Sequence, residues 1–472
     1  MNKVAKGSLI FTISTVLSKG ISFFLLPIYL AHLTLAQYGT VGYIQVIINL
    51  MFNVVILGFH GSQTRLIHDK NIDQGTLLFT LNIFLVLESL LCFAIFWIGG
   101  GLLFHDTLGI EPSFPPLLAL GIVVLMIFNQ MSITYFTAHK NFLKAAIIET
   151  SIFLTSAALI ILLVVFQEKG INGYFIAIII AQAISALIYG ASYLKHFKPK
   201  FKFKYLKESL LLGVPTLFHL LGLYLNNSAD RFVLAKYLSM EDLGIYNLGY
   251  TLASVMSYMI IAINKAWTPT YFSLMNETNG KVNTLINNYY DIWVLGLGFA
   301  TLIGISIIPF VIEWFAPDIY TNSIGITIII LLAYYNYGIY TYFVNSIFFF
   351  KKNKFLPFLT LLSGLINVFL NIIYIPLFGI MAAAVSTLIS FLVLMLCVIV
   401  FSRYFFKQAY SYNFIIYFYI VSLCSAFVHF GIEDNYRSLL MNSSLIIVSI
   451  GLVYYMRKKP LTKWLNDKFS IQ

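Results

Sequence analysis

The chain has 472 residues, 60% of them hydrophobic and 10% charged, with 29 basic against 18 acidic residues and a formal net charge of +11. Soluble domains carry about a quarter charged residues, so a water-soluble catalytic domain of this size is excluded and the apolar excess requires a bilayer as solvent. The three cysteines, Cys92, Cys397 and Cys424, lie in apolar runs without metal-ligand spacing, which argues against a disulfide framework or a zinc site.

Polar breaks separate fourteen apolar stretches, near 7–30, 39–59, 76–99, 115–137, 144–166, 171–193, 209–231, 244–264, 289–312, 322–348, 355–376, 378–402, 413–431 and 437–456. A spanning helix needs roughly 20 apolar residues, so the expected fold is an all-α polytopic membrane protein with about fourteen transmembrane helices. The first stretch follows Lys3 and Lys6 but outruns a signal-peptide core, and no small-residue cleavage pattern closes it. It reads as an uncleaved first helix. An even number of spans puts both termini on one side. On that side lie 24 of the 29 basic residues, from Lys3 through the Lys195–Lys207 loop to the tail at Arg457–Lys468. The opposite side holds four, Lys169, Arg231, Lys236 and Arg437, and Lys19 is inside the first span. Short cytoplasmic loops carry the positive excess, so both termini are expected in the cytoplasm. In so apolar a chain the net charge describes loops facing anionic lipid, not a nucleic-acid surface.

The basic loop from Lys195 to Lys207 falls almost at mid-chain, and a short repeat flanks the same division. Leu33-Thr34-Leu35-Ala36-Gln37-Tyr38-Gly39 recurs as Leu238-Ser239-Met240-Glu241-Asp242-Leu243-Gly244, each between two spans. The expected organisation is an N-terminal lobe (1–194, six helices), a basic cytoplasmic linker (195–208), a C-terminal lobe (209–404, six helices), and helices 13 and 14 with a basic tail (405–472). Both copies begin with a helix entering from the same side, so the two lobes are parallel, with a substrate site expected between them.

Charged side chains within spans are costly and normally face protein or water. Lys19 lies twelve residues into the first span on a stripe with Thr12, Thr15 and Ser22, which is one helical face. The seventh span carries Thr216, His219, Asn226 and Asp230 in a similar stripe; the second adds Gln45, Asn49 and Asn53, and the eighth Asn247, Tyr250, Ser254 and Ser257. Four polar faces suit a hydrated central cavity. Each residue also has a plainer reading. Lys19 pairs structurally with Glu88 near the middle of the third span, His219 is a hydrogen-bonded core histidine, and Asp230 with Arg231 forms an interfacial pair. The Tyr334-Tyr335-Asn336-Tyr337 and Tyr340 cluster either stacks on sugar rings or packs helices.

Asp230-Arg231 followed by Leu243-Gly244-Ile245-Tyr246, Lys265-Ala266-Trp267-Thr268-Pro269, and above all Lys354 to Ser390 with Asn367, Asn371, Pro376, Leu377-Phe378-Gly379 and Ala382-Ala383-Ala384 resemble the polysaccharide flippase family. That family belongs to the multidrug/oligosaccharidyl-lipid/polysaccharide exporter superfamily. The chain departs from it in having Ala382 where Gly is expected, and Lys19 where lipid II flippases carry arginines. The resemblance implies twelve core helices in two lobes forming a V, alternating access, and residence in the bacterial inner membrane. It implies transport of an undecaprenyl-diphosphate-linked glycan, O-antigen or capsule repeat units in particular, with surrounding lipids and polysaccharide polymerase machinery as partners. On this reading Lys19, Asp230, Arg231, Asn49 and Asn226 bind substrate, and Glu88 and His219 couple transport to an ion. No cofactor is expected. Walker A and HExxH sequences are missing from the chain, so ATP hydrolysis and zinc-protease chemistry are not indicated. A membrane glycan polymerase or glycosyltransferase needs a larger external loop than any here, and a drug/cation antiporter suits a central lysine poorly.

Overall fold

The computed structural model describes residues 25–100, 116–276, 282–406, 410–432 and 435–469. Lys19 and most of the first span lie outside the described residues. The helices run in the order α1 (Leu26–His32), α2 (Leu35–Val55), α3 (Phe59–Leu66), α4 (Gln74–Gly100), α5 (Pro116–Ala138), α6 (Phe142–Ile160) and α7 (Gly170–Leu194). They continue with α8 (Phe203–Tyr237), α9 (Met240–Met275), α10 (Val282–Phe315), α11 (Ser323–Phe349), α12 (Leu356–Phe405), α13 (Asn413–Gly431) and α14 (Asn435–Phe469). Among the described residues twelve helical stretches are long and apolar enough to cross a membrane. The protein is an all-α, multi-pass membrane protein. Helices satisfy every backbone polar group within the segment, which is what hydrocarbon demands.

The expected separate spans at 355–376 and 378–402 form one 50-residue helical run, α12, broken at Gly379. A straight helix of that length would extend about 75 Å. Instead Ser363 Oγ donates to the Ser390 carbonyl at 2.6 Å and Asn367 Nδ2 to Thr387 Oγ1 at 3.3 Å. These ties step inward on both sides of Gly379, so α12 is an antiparallel hairpin. Its turn places Gly379 at φ 64°, ψ −148°, a region essentially reserved for glycine.

The two copies of the repeat do the same local work. Thr34 accepts a hydrogen bond from the Gln37 backbone while the Gln37 side chain returns to the Thr34 N–H; Ser239 and Asp242 form the same box on α9. Each box satisfies two orphan donors of a helix start. The copies then pack on each other. A Cβ on Gly39 would enter the Met240 carbonyl and the Gly244 nitrogen, and one on Gly244 would meet the Leu35 carbonyl. Such small-residue crossings are how helix backbones approach closely in a membrane. Tyr38 adds an edge contact on Tyr320, 6.2 Å between ring centres, so α2, α9 and the segment before α11 meet at this end of the helices.

At the other end, Gly58 (φ +68°) between α2 and α3 abuts Gly213 of α8. The basic stretch expected as a linker is an ordered strap across the start of α4. Lys198 Nζ reaches Asp73 at 2.5 Å, the Lys198 N–H donates to the Gly75 carbonyl at 3.1 Å, and the Lys202 N–H donates to Thr80 Oγ1 at 3.1 Å. Lys198 first, then Thr76, holds the Asp73 carboxyl well below the usual carboxylate range. In the C-terminal half α11 is buried along nearly its whole length, against α9, α10 and α12.

Candidate functional site

Between α1, α2, α6 and α7 on one side and α8, α9 and α11 on the other lies a cavity of about 590 Å³. Its described lining mixes aliphatic side chains, among them Leu26, Val41, Ile160 and Ile178, with polar and aromatic ones: Gln45 and Asn49 from α2, Asn227 and Arg231 from α8, Asn247, Tyr250, Ser254 and Ser257 from α9, with Tyr29, Tyr174 and Tyr334 from α1, α7 and α11. Residues of the polar stripes on the second and eighth spans therefore share one space, which no spacing along a single helix dictates.

Arg231 is the charged group in the described lining. It is 7% exposed, and its neighbour Asp230 is fully buried. Arg231 Nη1 donates to Asp230 Oδ1 at 3.1 Å and to the Asn227 carbonyl at 2.8 Å, and Nε donates to Asn247 Oδ1 at 2.9 Å. The Tyr246 hydroxyl and the Arg231 backbone N–H also donate to the Asp230 carboxylate. The guanidinium lies 4.2 Å from the Tyr250 ring centre and 5.4 Å from that of Tyr246, a cation–π arrangement worth more when desolvated. A guanidinium has five N–H donors in a planar fork, and among the described residues no hydrogen bond is made by Nη2. Asp230 therefore orients and balances Arg231, a residue of the cavity lining.

The remaining sequence-expected residues divide. Asn49 lines the cavity. Asn226 does not: it is fully buried against α12, donating to the Gly222 carbonyl at 3.1 Å and accepting from Ser363 Oγ at 3.0 Å. Its neighbour Asn227, which accepts at its Oδ1 from the Tyr250 hydroxyl at 3.0 Å, faces the cavity instead. Consecutive helical residues point about 100° apart, so one asparagine serves the α8–α12 seam and the other the site. The signal for Asn227 was available in its i, i+4 relation to Arg231. His219 also belongs to the seam, its Nδ1 hydrogen-bonded to Thr360 Oγ1 at 3.1 Å. Glu88 sits on α4 outside the cavity lining, its Oε2 buried without a hydrogen-bond partner among the described residues. In the tyrosine cluster Tyr334 reaches the cavity, whereas Tyr337 stacks on Tyr340 at 5.7 Å and Tyr335 donates to the Ile415 carbonyl at 3.4 Å.

The polysaccharide biosynthesis protein family matches residues 4–275, more than half of the chain. The chain belongs to the polysaccharide biosynthesis protein family. A protein of the Lsg locus of Haemophilus influenzae is 24% identical over 413 residues, 81% of this chain and 95% of its own length. Among solved structures, the lipid II flippase MurJ in an inward closed conformation superposes with a TM-score of 0.74 at 15% identity, over 96% of this chain and all of MurJ. A multidrug resistance MATE family transporter of the MOP superfamily, inward-facing, gives 0.67 at 14% identity, over 84% of this chain and 94% of its own. At these identities the likeness is one of fold, and the fold is that of transporters. In this family member the cavity lies between the helices that carry the two repeat copies.

Proposed function

We propose that the protein is a flippase that moves undecaprenyl-diphosphate-linked oligosaccharide repeat units from the cytoplasmic to the outer leaflet for surface polysaccharide synthesis. The observation that carries this reading is the cavity. It is a tyrosine-rich chamber of mixed polar and aliphatic lining within the membrane-spanning bundle, holding a buried arginine whose Nη2 is unpaired among the described residues. A diphosphate needs cations and N–H donors, and sugar hydroxyls need amides and hydroxyls in place of water. Arg231 Nη2 and, from the first span, Lys19 meet the diphosphate; Asn49, Asn227 and Asn247 meet the sugars; the prenyl tail stays in lipid. Family membership supports a polysaccharide precursor, and the shared fold with a lipid II flippase supports a lipid-linked one.

Residues 1–194 and 209–404 are taken as two lobes that rock about this cavity, the strap 195–208 joining them. With Arg231 inside α8, the division of basic residues is 24 on the side of the termini against Lys169, Lys236 and Arg437 on the other, which supports a bacterial inner-membrane location with both termini in the cytoplasm. Energy comes from an ion gradient or from removal of the product by a polymerase. Glu88 and His219 are the coupling candidates, since an acid at mid-membrane depth exchanges a proton when its surroundings differ between two states.

The test is twofold. A deletion strain accumulates one undecaprenyl-linked glycan on the cytoplasmic side, and proteoliposomes holding the purified protein move that lipid across the bilayer faster than empty vesicles. Equal rates with and without protein, or no accumulating glycan, overturn the reading. In the same vesicles Lys19→Ala loses transport and Lys19→Arg keeps part of it; full transport by the alanine variant removes Lys19 from the site. Equal stimulation of wild type and Glu88→Gln by an imposed pH gradient removes Glu88 from coupling.

A further inference from the structure

We propose that the protein carries a site for the headgroup of an anionic phospholipid, away from the cavity, where the α5–α6 turn meets the start of the strap. Four basic side chains gather there. The Tyr135 ring lies 4.3 Å from the His139 ring and 5.0 Å from the His196 ring. Beside it Lys144 Nζ sits 4.4 Å from the centre of the Phe136 ring. Partial burial, then the charges of Lys195, His139 and Lys144, hold His196 below the usual histidine range, so all three cations act on one ring. His139 has oxygens at both ring nitrogens, the Tyr135 carbonyl at 2.9 Å from Nδ1 and Gln74 Oε1 at 3.2 Å from Nε2. The Gln74 amide is fixed in that orientation, because its Nε2 donates to the Ile67 carbonyl at 3.1 Å. A neutral imidazole donates from one nitrogen only, so this arrangement is that of a cation.

Among the described residues neither Lys144 nor Lys195 makes an ion pair, and Asp73 of the strap contact is taken by Lys198 at 2.5 Å. Glu149, five residues beyond Lys144, points about 140° round α6 from it. The strap holds the cluster in shape. The His196 N–H donates to the Tyr193 carbonyl at 3.1 Å, and the His196 carbonyl packs so close to Gly75 that a Cβ there would stand 2.8 Å from it. Phosphate oxygens accept charge-assisted hydrogen bonds from ammonium and imidazole N–H groups. The quaternary ammonium of a zwitterionic headgroup meets repulsion from the same cations. Apolar surface next to the cluster selects a lipid over a free anion. On α6 Leu143, Ile147 and Leu154 are exposed, and on α7 Leu187 and Leu194; each row keeps to one helical face. Leu143 adjoins Lys144 and Leu194 adjoins Lys195, so acyl chains find a track where the headgroup is held. Basic pockets between spans at the cytoplasmic side suit anionic headgroups, and the topology proposed above puts the strap on that side.

The experiment titrates the full-length protein in nonionic micelles with phosphatidylglycerol or phosphatidylcholine and counts bound lipid by native mass spectrometry. Phosphatidylglycerol binds at least about tenfold more tightly than phosphatidylcholine. Lys144→Gln combined with Lys195→Gln loses at least about tenfold of the phosphatidylglycerol affinity, since each lysine near a membrane surface contributes about fivefold. Its phosphatidylcholine affinity stays that of wild type. Lys195→Gln alone, at an exposed position, loses about fivefold and reads the site should the double variant not fold. Lys351→Gln combined with Lys354→Gln removes as many exposed charges from the turn between α11 and α12 and stays within about threefold of wild type. Equal losses in the two double variants would reduce the effect to general surface charge and overturn the inference. Equal affinity for the two lipids or an unchanged Lys195→Gln affinity would overturn it too. So would displacement of phosphatidylglycerol by inorganic phosphate, which would mark a free-anion site with no use for acyl chains.

Discussion

Replacing Asp230 with asparagine keeps the size of the side chain and removes the charge that balances Arg231. Asp230 is fully buried and accepts from the Tyr246 hydroxyl, the Arg231 backbone and Arg231 Nη1, and Arg231 is 7% exposed. Breaking a buried ion pair from one side costs about 3–5 kcal/mol, because the surviving charge is left uncompensated. That is a shift of roughly 10²- to 10⁴-fold in the ratio of folded to unfolded protein. Removing both charges is close to neutral by the same reasoning, since a desolvation cost disappears along with the attraction. The assay is a double-mutant cycle by denaturant unfolding of the purified protein in micelles: wild type, Asp230→Asn, Arg231→Gln and the double variant. Each single variant is expected to lose several kcal/mol, about 3–5, and the double variant to recover most of it. On the proposed flippase reading, the recovered double variant is folded but binds prenyl diphosphate more weakly than wild type, having lost the arginine of the cavity lining. A double variant as unstable as the sum of the two singles would refute the pairing, because additivity means that the two residues do not interact.

Three further outcomes follow from the fold. Gly39→Val drives a side chain into the Met240 carbonyl and the Gly244 nitrogen, an overpacking of about 1–3 kcal/mol; spin labels on the starts of α2 and α9 should move apart, and an unchanged distance refutes the contact. Gly379→Ala forces a Cβ into a glycine-only backbone conformation at a cost of about 1–3 kcal/mol, read as a lower melting temperature; an unaltered one argues against the hairpin turn. The strap is pH-dependent with a definite sign. The folded-state pKa of Asp73 is depressed by Lys198, so the stabilisation is present above the unfolded value of about 4 and is lost as pH falls towards the folded one. A spin label at Phe201 should be ordered at neutral pH, mobile in strong acid, and mobile at both in Asp73→Asn; immobility of that variant at neutral pH removes the tie.

The all-helical, membrane-spanning class of this protein is legible in one dimension, because the bilayer sets the length of a span and polar breaks end it. The pairing of Leu33–Gly39 with Leu238–Gly244 was visible as a repeat. That its two glycines face each other across the molecule was not, since sequence identity says nothing about which surfaces touch. The seventh span illustrates the division best. Its polar stripe pointed to Asn226, yet the packing of α12 claims that residue and leaves Asn227 for the cavity. The span was expected to end at 231, but α8 continues to Tyr237, which turns Arg231 from a loop charge into a buried one. The reason is the same in both cases. Periodicity records which residues share a face of one helix; which face meets lipid, a neighbouring helix or water depends on helices that come from far along the chain, and only their packing assigns it.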